Sequence, residues 1–213
     1  KMSKIFNYPL KLTVSLFENI GRFILLMSQM FKTIDSKNMF LSNSLQQMIS
    51  IGSKSIPIVI LTSFFTGMVA SVQAAYQMES SLVPSWYIGS LVGETILLEL
   101  APVITSLVLA GRIGATITAE IGAMRVTEQI DALQTLSIDP VEYLITPRIF
   151  AALLMFPVLT IIADVFGIVG GMYASYNSVG VDSYQFLKGF KTWFKPWDAW
   201  YGLIKGLSFG LAI

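Results

Sequence analysis

The chain has no cysteine and no histidine among its 213 residues. The first absence removes disulfides and thiolate chemistry; the second removes imidazole bases and the commonest zinc ligands. Charge is scarce as well. Asp, Glu, Lys and Arg make up 13% of the residues, against roughly a quarter in soluble domains. No cluster of Lys and Arg of the kind a phosphate backbone attracts occurs, so nucleic acid is not an expected partner. There is no G-x-x-x-x-G-K-[ST] phosphate loop, because "GSKS" at 52–55 lacks the upstream glycine. No nucleophile–base constellation and no metal-ligand motif stands out. The chain is therefore not read as an enzyme, and no catalytic residue, metal or cofactor is assigned to it.

Apolar residues are abundant: 54% of the chain is hydrophobic and its mean hydropathy is +0.68. A membrane span needs about 20 mostly apolar residues. Residues 55–76 carry no charge and form the clearest span. Residues 86–111 form a second, which contains Glu94, Glu99 and Pro102; residues 148–175 form a third, with Pro157 and Asp164 inside. A fourth begins at 199–213 and holds Lys205. That run covers about 22 Å at 1.5 Å per residue, and a helix cannot end unpaired in hydrocarbon, so further membrane segments are expected after it. The fold class that follows is an all-α integral membrane protein. Residues 1–54 form an N-terminal region and 55–213 a transmembrane bundle, interrupted by a polar segment over 112–147.

In residues 11–31 the polar side chains Lys11, Ser15, Glu18, Arg22 and Gln29 recur at helical spacing against Leu12, Leu16, Phe17, Ile20, Phe23, Ile24 and Met27. This is the pattern of a helix lying in the membrane interface. Ser44 and Gln47 stand at capping-box spacing, which predicts a short helix over 44–52. Lys and Arg are concentrated before the first span and at Arg112, Arg125 and Arg148, whereas the loop 77–85 holds only Glu79. The balance favours a cytoplasmic N-terminus, although Lys188, Lys191 and Lys195 blur it. The aromatic-rich stretch 188–200 suits the outer interface. Small residues recur four apart at Gly67 and Ser71, Gly89 and Gly93, Gly167 and Gly171, and Gly206 and Gly210. Such spacing permits close helix packing or dimerisation.

The polar segment is patterned rather than loose. Thr127 is placed to cap a short helix over 128–136, with Ile130, Leu133 and Leu136 on one face and Glu128, Asp131 and Thr135 on the other. Asp139 is placed to cap a second helix, with Pro140 at its first position and Glu142 three residues after the cap. Thr146 and Pro147 repeat the device at the third span. The expected order is helix, break, helix, break, span: a docking helix for a cytoplasmic partner, or a solvated hairpin.

The block "ELAPVITSLVLAGRIGATITAEIGAM", followed by "EQIDALQTLSIDPVEYLITPR", resembles the permease subunits of the MlaE family. These are permeases of bacterial lipid ABC transporters that work with MCE-domain proteins, together with the YrbE permeases and the chloroplast lipid-import permease. The pattern matches at Glu99, Pro102, Gly111, Arg112, Gly114, Glu120, Ile121, Gly122, Met124, Glu128, Gln129, Asp139, Pro140, Pro147 and Arg148. Members often carry Arg before the first Glu of the block, where this chain has Leu98.

The resemblance implies five spans after an interfacial helix and a homodimer in the bacterial inner membrane. It also implies a cytoplasmic ABC ATPase that binds ATP and Mg, an MCE-domain protein on the outer side, and in some systems a STAS-domain protein. Phospholipid is the implied substrate. Glu128, Gln129, Ile130, Asp131, Leu133, Asp139 and Pro140 would couple to the ATPase. Gly111, Arg112, Gly114, Glu120, Gly122, Arg125, Pro147 and Arg148 would serve as structural motif residues.

A charge at mid-bilayer costs at least about 2.5 kcal/mol. Glu94, Glu99 and Lys205 are accordingly expected to line a lipid cavity, with a purely structural Glu99–Lys205 pair as the alternative; Asp164 is read as structural. Two other functions compete. One is an ion-coupled carrier using Glu94, Glu99 and Asp164 as a relay; the other is a membrane scaffold that transports nothing.

Overall fold

The computed structural model describes residues 37–78 and 84–213, together with some positions between 14 and 28. Among the described residues there is no strand. The described positions of the expected interface helix, among them Val14, Phe17, Glu18, Ile20, Arg22 and Ile24, are helical and exposed. Arg22 bonds Glu18 one turn away at 2.6 Å. The remainder of that stretch and most of the loop 77–85 lie outside the described residues.

Helix α1 (Lys37–Ile51) passes through a 3-10 turn at Ser53–Ser55 into α2 (Ile56–Gln77). Ser44 is therefore no cap. The described residues are already helical from Lys37 through Ser44, and the Ser44 hydroxyl is buried. Helix α3 (Tyr87–Thr95) continues through a π turn at Ile96–Leu100 into α4 (Ala101–Val126). The second span thus does not stop near Gly111: the helix runs on without interruption to Val126. The resulting rod of 40 residues is about 60 Å long and exceeds a hydrocarbon core of roughly 30 Å.

Helix α5 is short, Gln129–Thr135. Thr127 does not cap it; its hydroxyl bonds back to the Ala123 carbonyl at 2.8 Å. The break is made by Glu128, whose φ of 57° is left-handed, a conformation that ends a right-handed helix. A second π turn, Val141–Ile145, leads into α6 (Thr146–Val179). Asp139 does cap this start, accepting from the Val141 N–H at 2.9 Å. No break follows at Thr146–Pro147: the Thr146 hydroxyl bonds Val141 within the continuous helix. Two short helices finish the described fold, α7 (Ser183–Trp193) and α8 (Pro196–Ala212).

Pro102 and Pro147 each stand two residues after a π turn, and both are fully buried. A proline inside an α-helix lacks the N–H and collides with the carbonyl four residues back. A π turn widens the helix at that place and relieves the collision. This is why a helix-breaking residue passes inside two membrane-crossing rods.

The bundle is built on α2 against α6, which run parallel: Gly67 packs on Gly167 and Gly171, and Ser71 meets Ser175. Val59, Ser63, Gly67, Ser71 and Ala74 form the buried face of α2. A Cβ on Gly67 would stand 1.9 Å from the Gly167 carbonyl oxygen, so only glycine fits. One turn on, the hydroxyls of Ser71 and Ser175 pair at 2.5 Å. Helix α8 leans on α6 through Gly206 against Thr160 and Gly210 against Phe156. Helix α7 lays Phe186 and Gly189 on α3. The repeated small residues in these four helices are thus consumed by packing inside one chain. Phe156, Phe186, Ile96, Leu109 and Leu159 fill the core. Outward faces of α2 and α6 stay apolar: Leu61, Phe65, Val69, Ile161 and Val165 are each about half exposed, as suits lipid.

Candidate functional site

The first π turn builds the site at which α8 meets α3–α4. Because Pro102 carries no N–H, the Leu98 carbonyl gains no helical donor from it. Lys205 supplies one from α8: its Nζ donates to the Leu98 oxygen at 2.8 Å and to Glu99 Oε1 at 2.7 Å. The same Nζ lies 4.7 Å from the centre of the Tyr201 ring, a cation–π distance. The absence of a side chain at Gly202, beside the Leu97 carbonyl, lets α8 come close enough for this. Lys205 is therefore held on three sides. Its side chain is 20% exposed, whereas that of Glu99 is 62% exposed. Glu99 stands on a membrane-crossing rod and Lys205 reaches it from α8, leaving the carboxylate as the more exposed member of the pair.

The structure thus brings Glu99 and Lys205 together. It leaves Glu94 apart, exposed at the end of α3 with neither an ion pair nor a hydrogen bond to any described residue. Asp164 lies half-buried in α6, and its Oδ1 has no hydrogen-bond partner among the described residues. Sequence reading missed Tyr201 and the Leu98 carbonyl. The signal for the carbonyl was available, since a proline within a span always frees the carbonyl four residues before it.

Helix α5 and its flanks form a second feature. None of its residues is buried; Ile130 and Leu133 are half-buried, and Val126 and Leu136 are 86% and 70% exposed. Glu128, Gln129 and Asp131 are exposed as well. Left-handed Glu128 and Ser137 mark the two ends of this unit, and Asp139 and Pro140 start the next helix. It is an ordered projection with uncovered apolar and acidic surface.

The motif residues divide into two groups. Arg112 donates to the Ser55 hydroxyl, and Arg148, which is 6% exposed, bonds Glu120 at 2.7 Å. These contacts tie the ends of α4 and α6 to each other and to the start of α2. Gly111, Gly114 and Gly122, in contrast, face open space within the chain, and Arg125 is exposed.

Apolar rods long enough to cross a bilayer, three of them among the described residues, define a multi-pass membrane protein. Comparison gives the family: residues 44–213 match the family described as Permease MlaE. A probable ABC transporter permease protein of Rickettsia prowazekii is 37% identical over 203 residues, covering 95% of this chain and 78% of that protein. TRIGALACTOSYLDIACYLGLYCEROL 1 of Arabidopsis thaliana chloroplasts is 37% identical over 171 residues, 80% of this chain and 49% of that protein. The intermembrane phospholipid transport system permease protein MlaE of Haemophilus influenzae is 36% identical, over 79% of this chain and 64% of that protein. The chain belongs to the MlaE permease family.

Proposed function

We propose that the chain is the permease subunit of an ATP-driven phospholipid transporter in the bacterial inner membrane. Two copies would form the membrane unit. The lipid headgroup would pass Glu99 and Lys205, and an MCE-domain protein would exchange lipid with the pair on the outer side. ATP and Mg would be bound by a separate ABC ATPase, assisted in some systems by a STAS-domain protein. The observation that carries this reading is the Glu99–Lys205 pair, an ionised contact kept half-open on a membrane-crossing helix. A sealed structural pair would be covered on both members. A half-open one suits a path that polar headgroups share with water.

The exposed surface of α5 supports the ATPase contact. The end of the molecule that carries α5 also carries Lys54, Arg112, Arg125 and Arg148, which favours the cytoplasmic side and with it a cytoplasmic N-terminus. The open faces of Gly111 and Gly114 favour contact with a second copy. The unpartnered Asp164 oxygen is the one observation that favours an ion-coupled carrier instead, and that reading leaves α5 without a role.

Purification of the chain with its co-purifying proteins, followed by mass spectrometry of bound lipid, tests the proposal. The expected result is an ABC ATPase and retained phospholipid, with less lipid on Lys205→Ala at equal ATPase content. Absence of an ATPase together with sodium- or proton-driven transport would contradict it.

A further inference from the structure

A second polar site lies well away from Glu99 and Lys205. Asn43, Gln46 and Gln47 of α1, Glu120 and Met124 of α4, and Tyr143, Pro147 and Arg148 around the second π turn enclose a cavity of about 270 Å³. Liquid water occupies about 30 Å³ per molecule, so the space exceeds what a single bridging water needs. Arg148 is 6% exposed, and Glu120 accepts from only its Nη2, at 2.7 Å. Its Nε and Nη1 are buried without a hydrogen-bond partner among the described residues. Buried cationic N–H groups left unpaired are costly, and their preferred partner is an oxyanion.

Charge and position narrow the ligand. A smaller crevice shares Gln47 and Glu120 with this cavity and adds Arg112, so the two spaces together are lined by Arg112, Arg148 and Glu120, a net charge of +1. The cavity also lies where three membrane-crossing helices present ends on one side of the bundle. Residues 43–47 stand near the start of Phe40–Gln77, 120–124 near the end of Tyr87–Val126, and 143–148 near the start of Val141–Val179. These rods are longer than the hydrocarbon core, so their ends on this side reach out of it toward the layer of lipid phosphates, a dense layer of anions.

We propose that this cavity binds a phosphate group through Arg148, with the side-chain amides of Asn43 and Gln47 completing the cradle. The site is separate from the path at Glu99 and does not depend on the transport reading.

The test is thermal melting and native mass spectrometry of the purified permease with its co-purifying partners, in detergent. Phosphatidylglycerol, diacylglycerol and inorganic phosphate are titrated separately. Phosphatidylglycerol should raise Tm and remain bound as a retained molecule, and diacylglycerol, which lacks the phosphate, should do neither. A response to inorganic phosphate alone would assign the site to free phosphate; a response to phosphatidylglycerol alone would assign it to a lipid headgroup. Arg148→Lys should weaken the response about tenfold. Because that change could disturb the Glu120 pair, Gln47→Leu provides a second variant that leaves the pair intact and should weaken it several-fold. Lys205→Ala, which lowers lipid at the other site, should leave in place the part of the response that Arg148→Lys removes. Equal responses to diacylglycerol and phosphatidylglycerol, no response to either phosphate compound, or full responses in both Arg148→Lys and Gln47→Leu would overturn the proposal and leave a water-filled pocket.

Discussion

Lys205 makes three contacts, and the least obvious is with a backbone carbonyl. Glu99 and Lys205 were legible in the sequence as charges within spans, because charge in a span is rare and needs a partner. Their pairing was left open, since they lie 106 positions apart and residue spacing says nothing about such a contact. The Leu98 carbonyl was hidden for a different reason: it is exposed by a missing N–H, not by any side chain of its own. Because Glu99 is more than half exposed, the pair should add little to stability. A double-mutant cycle of Glu99→Gln and Lys205→Met, followed by thermal unfolding, should give a coupling of at most about 1 kcal/mol. A coupling of several kcal/mol would make the pair a structural clamp and remove the reason to place it on a transport path.

At the scale of elements, the length of the apolar runs located the three long rods but misjudged their ends. Thr146 and Pro147 read as a cap and first position of a new helix, because proline is favoured there; the π turn that instead carries the helix through Pro147 leaves no periodic signature over five residues. Thr127 reads as a cap, yet the following residue, Glu128, takes the left-handed turn and leaves Thr127 bonded backward. The small-residue spacings were legible as close-packing signals, but not which helix each would meet. That distinction gives a test within one family of substitutions. Gly67→Ala should destabilise the fold by about 1–3 kcal/mol, because the new methyl would meet the Gly167 backbone. Gly114→Ala should leave the monomer no less stable, and more stable by up to about 1 kcal/mol, since nothing lies near it in the chain and Ala favours the helix. If a second copy covers that face, Gly114→Ala should instead lower the dimer fraction in cross-linking. On α5, replacing Ile130 and Leu133 with Asp should release the ATPase on co-purification while the permease stays in the membrane. Retention at normal stoichiometry would place the docking surface elsewhere.

At the scale of the whole molecule, composition alone placed the chain in the membrane, and the described bundle agrees, with rods of 38, 40 and 39 residues long and apolar enough to cross. The absence of cysteine makes topology directly measurable by single-cysteine labelling. Cysteines at Ser15 and Arg22, both exposed on the described part of the N-terminal helix, should react with an impermeant probe from the cytoplasmic side. Reaction from the opposite side would reverse the orientation inferred from Lys and Arg. The direct test of lipid transport uses proteoliposomes containing the permease with its ATPase, and follows ATP-dependent transfer of a fluorescent phospholipid to an MCE-domain acceptor. Lys205→Glu turns a paired cation into a second carboxylate beside Glu99, so transfer should fall at least about tenfold, roughly 1.4 kcal/mol in the barrier, at unchanged ATPase content. Transfer at the wild-type rate by Lys205→Glu would contradict the placement of the lipid path at this pair.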